Sequence, residues 1–213
     1  MEKKKMKLWK KILVVLIVIL IIYAVIVSIK FSILSKISKN YAESKKLTNY
    51  YYHSQTDNMN ISYWRKDNIH VTNIKKVSGE GNITYWKNDE IGETLRIYEI
   101  NKTYSRDENN DVIIGEIIPN SQSIFEENYS LYKFLTALHP ACIISSGKFN
   151  EIECYNIYYL IDGKIKTEKI DKETGLLLYT DLYNGIRTIE YRFNIVTDKD
   201  VEKPDISDYK IQE

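Results

Sequence analysis

Proline and glycine are scarce in this chain, with three Pro and eight Gly among 213 residues. That excludes a collagen-like, linker-like or low-complexity polypeptide. The three histidines, His53, His70 and His139, show no metal-ligand spacing of the H-x3-H or H-E-x-x-H kind. G-x-S-x-G, P-loop and dinucleotide-binding glycine patterns are all missing. Gly79-Glu80-Gly81 reads as a turn and not a phosphate cradle. The carboxylate pairs Glu126-Glu127 and Asp198/Asp200 read as solvated charge. His139 stands three residues before Cys142, but a histidine ending a helix near its C-terminal dipole is the plainer account than a nucleophile pair. No cofactor and no catalytic residue are therefore expected.

Charge is unevenly divided. Residues 1–11 hold six lysines against Glu2, whereas residues 47–213 hold 19 basic and 27 acidic residues. An acidic body is unsuited to phosphate backbones, which excludes nucleic acid as a partner. Between the two lies ILVVLIVILIIYAVIVSI, residues 12–29, without a single charge. As a helix those residues span ~27 Å, close to the ~30 Å hydrocarbon core of a bilayer. The run is longer than the apolar core of a signal peptide, and no small-x-small cleavage site follows it cleanly. The polar stripe of a buried core helix is missing as well. These features predict an uncleaved, single-pass anchor in the cell membrane. The lysines before it place the N-terminus in the cytoplasm and the body outside. The anchor carries no G-x-x-x-G pairing signal.

The expected organisation is a basic tip at 1–11, a transmembrane helix at 12–29, a juxtamembrane helix at 30–49 and an extracytoplasmic domain at 50–213. Within 30–49, Ile33, Ile37 and Tyr41 recur at i, i+4 and i+8, one helical stripe that would pack on the domain. From Tyr50 the apolar runs shorten to strand length: YYYH, NISYW, HVTNI, GNITYW, TLRIYEI and DVIIGEII, separated by Asn-, Asp- and Gly-rich breaks. That spacing predicts an antiparallel meander. A helix is expected over Ser123–Leu138, opened by the capping pair Ser123/Glu126 and ended at Pro140. Its stripe Ile124, Leu131, Leu135 and Leu138 is apolar enough to cover a sheet face. Further strands follow, the clearest where Thr188, Glu190 and Arg192 alternate with Ile189, Tyr191 and Phe193. The acidic tail after Val196 is expected to run extended across the surface. A hairpin turn centred near Lys148 would set Cys142 across from Cys154, so a cross-strand disulfide is one reading and two buried thiols the other. A sortase-type transpeptidase, also an anchored β-domain with a cysteine, needs a particular strand before its Cys and an Arg soon after. Here HPA precedes Cys142, EIE precedes Cys154, and no Arg follows until Arg187.

The stretch CYNIYYLIDGKIKTEKIDKETGLLLYTDL, Cys154–Leu182, resembles the C-terminal half of LolA-like proteins. That superfamily includes the lipoprotein carrier LolA, the receptor LolB and the sigma-factor regulator RseB. The features that carry the resemblance are the Cys-Tyr opening a strand, a second strand ending in Ile170-Asp171, and the turn Asp171-Lys172-Glu173-Thr174-Gly175-Leu176. The resemblance implies an α+β fold: a curved antiparallel sheet, a half-barrel, with covering helices and an apolar cavity that in several members holds acyl chains. Candidates to line such a cavity are Tyr63, Trp64, Tyr85, Trp86, Tyr98, Tyr158 and Phe193, with ordinary core packing as the alternative for each. The expected function is non-catalytic binding of a lipid or other apolar ligand, or, with the cavity plugged, of an envelope-protein partner in the manner of RseB.

Overall fold

A computed structural model describes residues 2–79, 81–106, 130–161, 163–181 and 185–212. The segment DVIIGEII, the capping pair Ser123/Glu126, the stripe residue Ile124 and the pair Glu126-Glu127 lie outside the described residues. The chain opens with one helix, α1 (Glu2–Ser44). A first run of strands follows: β1 (Asn49–Thr56), β2 (Met59–Lys66), β3 (Ile69–Lys76), β4 (Asn82–Asn88), β5 (Glu93–Tyr98) and β6 (Thr103–Arg106). After α2 (Ser130–Leu138) comes a second run: β7 (Ile143–Phe149), β8 (Ile152–Ile161), β9 (Lys164–Asp171), β10 (Leu177–Thr180) and β11 (Arg187–Phe193). A 3-10 turn (Asp198–Val201) and a short β12 (Lys210–Ile211) close the described chain.

All the described strands belong to one curved, open sheet in the order β12-β6-β5-β4-β3-β2-β1-β11-β10-β9-β8-β7. Each run is a meander, and the two are joined where β11 pairs antiparallel with β1, Tyr52 facing Tyr191. Among the described strands, only β12 runs parallel to its neighbour, β6. Tight loops set the register. Asp57-Asn58 joins β1 to β2, and Asp67-Asn68, with Asp67 at φ +52°, joins β2 to β3. Such residues tolerate the left-handed backbone that two-residue hairpins require. The β7–β8 turn is Asn150-Glu151, both at positive φ. It places Gly147, and not Cys142, opposite Cys154.

Two coverings bury the sheet. On one face, called here the helix face, lies the C-terminal half of α1. Leu34 and Ile37 are 0% and 1% exposed, and Tyr41 is buried beside them. They pack among Tyr50, Tyr52, Tyr63, Ile157, Ile170, Leu176 and Ile189. The stripe expected from Ile33, Ile37 and Tyr41 is present and widened by Leu34 and Ser38. Burying each large aliphatic side chain contributes about 1.5–3 kcal/mol. On the opposite face, the tail face, Val196 and Val201 pack against Val71, Trp86, Leu95 and Ile97. The Trp86 indole N–H donates to the Val201 carbonyl (3.0 Å). Asn49 holds Val196 from both sides, donating to its carbonyl and accepting its N–H, each at 3.0 Å. The tail is thus a packed strap ending in β12, more than an extended surface segment.

The turn Asp171–Leu176 fastens α1 as a latch. Asp171 accepts hydrogen bonds from the Glu173 N–H (3.0 Å) and the Thr174 hydroxyl (2.5 Å). From α1, the Asn40 amide donates to the Lys172 carbonyl and the Ser44 hydroxyl to the Thr174 carbonyl, both at 2.8 Å. Gly175 has φ +72°, and a Cβ there would stand 2.5 Å from the Ile37 carbonyl oxygen. Only glycine lets the turn come this close to the helix backbone.

One expectation is reversed. In α2, Leu131, Leu135 and Leu138 do not cover the sheet; all three are exposed, and Lys133 and Ala137 are the buried residues. The Lys133 ammonium donates to the Ser38 hydroxyl of α1 (3.1 Å), which turns the opposite side of α2 outward.

Gly175→Ala is expected to destabilise the fold by about 2–4 kcal/mol, from left-handed backbone strain plus displacement of α1. Gly92→Ala, at φ +65° with nothing within 4 Å, should cost only about 1–2 kcal/mol. Denaturant unfolding of the two variants measures the difference.

Candidate functional site

Strand alternation decides where the seven aromatic candidates go. Tyr63 and Trp64 are neighbours on β2, and Tyr85 and Trp86 on β4, so each pair must divide between the faces. Following the register outward from Tyr52, the residues Tyr63, Thr72, Tyr85 and Arg96 share the helix face. Phe193, opposite Tyr50, joins them, as does Tyr98, opposite Ile83. From Tyr51, the residues Trp64, Val71, Trp86 and Leu95 share the tail face. Tyr158, opposite Ile143 and Thr167 on β8, points away from the face that buries its neighbour Ile157. The seven rings therefore do not line one cavity. Tyr63 is 2% exposed and packs on Tyr50 and Tyr52 at 5.5 and 5.2 Å between ring centres. Trp86 is buried under the tail.

Among the described residues, two clefts lie beside the coverings. The larger, of about 690 Å³, runs between α1 and the strands that follow the latch turn. Tyr191 and Phe193, stacked with planes 2° apart, lie along it with Leu178 and Ile152. Lys36, Glu153 and the latch residues Asp171–Thr174 supply its polar rim. The smaller, of about 490 Å³, opens on the tail face between Tyr51, Trp64, His53, Glu190, Arg192 and Asp200. The residues that shape the larger cleft were readable in part. Lys36, Asn40 and Ser44 recur at i, i+4 and i+8, a polar stripe flanking the apolar one. Their partner, the turn of the second meander, follows only from the long-range topology.

One hydrogen-bonded chain crosses the strands near this core. The Tyr63 hydroxyl is hydrogen-bonded to His70 Nδ1 (2.6 Å), and His70 Nε2–H donates to Asp89 (2.8 Å). Lys87 also holds Asp89 (2.7 Å). A neutral imidazole fits this pattern with Nδ1 accepting from Tyr63 and Nε2–H donating to Asp89, and the depressed pKa of His70 favours it. Burial lowers the His70 pKa, outweighing the pull of Asp89, while Arg65 and Lys87 add to the depression. Burial by itself would raise Asp89, but its hydrogen bonds to Lys87 and His70 hold it below the usual carboxylate range. Burial also drives the Tyr63 phenol far up, and neighbouring Tyr50 adds to this. The chain therefore locks β2, β3 and β4 together and offers no activated oxygen.

The structure holds the two cysteines apart. Cys142 and Cys154 are both free and buried. The turn lies at Asn150-Glu151, so Cys154 stands opposite Gly147. Cys142 lies in the helix-face core, while Cys154 has the parity of the opposite face and contacts Asn156. Burial pushes both thiols above their ordinary pKa, the reverse of what an activated thiolate requires. Arg187, the first arginine after either cysteine, donates to Ser54 (2.8 Å). Among the described residues no group of three His, Cys, Asp or Glu side chains is placed to hold a metal ion.

No family model and no curated protein matches this chain. Among solved structures it is similar to the crystal structure of an uncharacterized conserved protein from Thermus thermophilus. That similarity has a TM-score of 0.45 at 9% identity and covers 85% of this chain and 96% of that one.

Because the His70 pKa is depressed on folding, its contribution to stability is full above the unfolded value of about 6.5. It is lost as pH falls through the folded value. Unfolding free energy should decline as pH drops below about 6.5, and His70→Gln should flatten that part of the profile. Both cysteines should resist thiol reagents in the native chain at about pH 8, near the ordinary thiol pKa, and react fully once it is unfolded, with no mass change on reduction.

Proposed function

We propose that this chain is a membrane-anchored, LolA-like module that works by binding and not by catalysis. Residues 12–29 cross the cell membrane, the lysine-rich tip lies in the cytoplasm, and the sheet domain lies outside. The helix itself is long and apolar enough to span a bilayer. Through the run Ile12–Ile22 its side chains are exposed on every side, as lipid contact requires and a core helix does not allow.

One observation carries the choice of function. The helix face of the sheet, where a half-barrel carrier would hold an acyl chain, is occupied by the chain's own Leu34, Ile37 and Tyr41. A filled interior favours recognition of an envelope-protein partner over the domain's surface, in the regulatory manner the resemblance includes. The cleft of about 690 Å³ beside Tyr191 and Phe193 favours the second reading, an apolar ligand lodged next to α1.

Mass spectrometry of organic extracts separates them. A form beginning at Lys30 retains the plug, and in the first reading it should release no stoichiometric lipid, measured against a matched control protein. A lipid at one per chain would establish the second reading. A form beginning at Leu47 lacks Leu34, Ile37 and Tyr41. It should expose the helix face and lose cooperative unfolding, or take up lipid that the longer form does not.

A further inference from the structure

Helix α2 is amphipathic with its sides reversed. Leu131, Phe134, Leu135 and Leu138 stand at i, i+3, i+4 and i+7, one continuous stripe, and are 66%, 45%, 49% and 39% exposed. Lys133 and Ala137, at i and i+4 on the other side, are 6% and 0% exposed. A helix surrounded by water would gain by the opposite arrangement, since each exposed aliphatic side chain forgoes its burial free energy.

What lies beside α2 identifies the medium. The Tyr23 hydroxyl of α1 donates to the Leu138 carbonyl, and Phe31 meets Phe134 edge-on at 6.4 Å between ring centres. Tyr23 stands six residues before the end of the uncharged run 12–29, about 9 Å inside it at helical rise. The C-terminal end of α2 is therefore tied to α1 at a depth that the run assigns to the membrane. Lys30, the first charge after the run, donates to the His139 carbonyl (3.4 Å).

The strands repeat the pattern. β7 begins at Ile143, paired with Tyr158, and the β8–β9 ribbon continues beyond that point to its tip. There Leu160, Ile161 and Ile165 are exposed, as is Ile143. The other end of the same ribbon carries Glu151, Glu153, Asp171 and Glu173. The tip also carries Lys164 and Lys166, and the other end Lys148 and Lys172, but exposed aliphatic side chains gather at the first end and carboxylates at the second. Just short of the tip, Ile157 and Tyr159 share a core with Tyr23 and Val27 of α1.

We infer that α2 and the β8–β9 tip are seated in the lipid of the outer leaflet, so that the domain is held against the membrane and not carried above it on a stalk. The occupant of the exposed face is the bilayer itself, continuous with the lipid around α1. This rests on the reading that residues 12–29 cross the membrane.

The test uses the full chain in vesicles of phosphatidylethanolamine and phosphatidylglycerol. Nitroxide labels are placed on Leu135→Cys, Leu138→Cys and Ile165→Cys, with Ile19→Cys and Glu173→Cys as references, while the native thiols stay buried. At the three test sites, collisions with dissolved oxygen should exceed those with a water-soluble nickel complex, as at Ile19, with the reverse at Glu173. Labels at Leu131 and Phe134 repeat the measurement should one substitution disturb α2. The Glu173 pattern at Leu135, Leu138 and Ile165, with Ile19 still in lipid, overturns the seating and leaves the anchor intact. An aqueous signal at Ile19 overturns the anchor and the seating together. Shielding from both reagents, with broadening between labels, overturns the seating in favour of a second copy of the chain on that face.

Discussion

The burial of one side of α1 against the sheet couples the two halves of the chain. Leu34, Ile37 and Tyr41 contact residues from both meanders: Tyr50, Tyr52 and Tyr63 from the first, and Ile157, Ile170, Leu176 and Ile189 from the second. Neither meander closes into a barrel, and among the described strands the pairing of β1 with β11 is the only one between them. An open sheet of this length needs a filler that touches both parts, or one of its faces is left wet. Because the filler is a helix, its own backbone bonds are internally satisfied, and it can enter an apolar interior without stranding polar groups.

The latch turn shows how a local pattern becomes a tertiary one. D-x-x-T-G-L is good turn chemistry in isolation, with Asp171 binding the backbone ahead of it and Gly175 taking a positive φ. Its second use is visible only in the folded chain, where the missing Cβ of Gly175 admits the backbone of Ile37 and Tyr41. Asn40 and Ser44 then convert the close approach into two hydrogen bonds. The same turn forms part of the rim of the larger cleft.

The long helix, the meanders and the period-two strands were legible from hydrophobic spacing and Asn/Asp/Gly breaks, because those signals are local. β11 is the clearest example, with Ile189 buried and Glu190 exposed as alternation requires. Facing was less legible. Tyr63 and Trp64 look alike in composition, yet β2 sends them to opposite coverings, and no local signal says that the tail will return to cover one of them. The cysteine register failed for a related reason. A turn at Asn150-Glu151, both at positive φ, shifts every pair in the hairpin from what a turn near Lys148 gives. In α2 the stripe of Leu131, Leu135 and Leu138 is present but faces away from the sheet, because an apolar stripe does not by itself record which way its helix will turn.

Helix α1 runs from Glu2 to Ser44 with neither Gly nor Pro, so it contains no built-in hinge. Its apolar half and its plugging half are one rod of about 65 Å at helical rise. Turning or tilting the first half therefore applies torque to the second, where Ile37 and Tyr41 press against the Gly175 turn. A domain on a flexible tether would dissipate such a motion in the tether. Here the rod ends inside the core, and any such motion reaches directly the side chains that Leu34, Ile37 and Tyr41 pack with, Tyr191 and Phe193 among them.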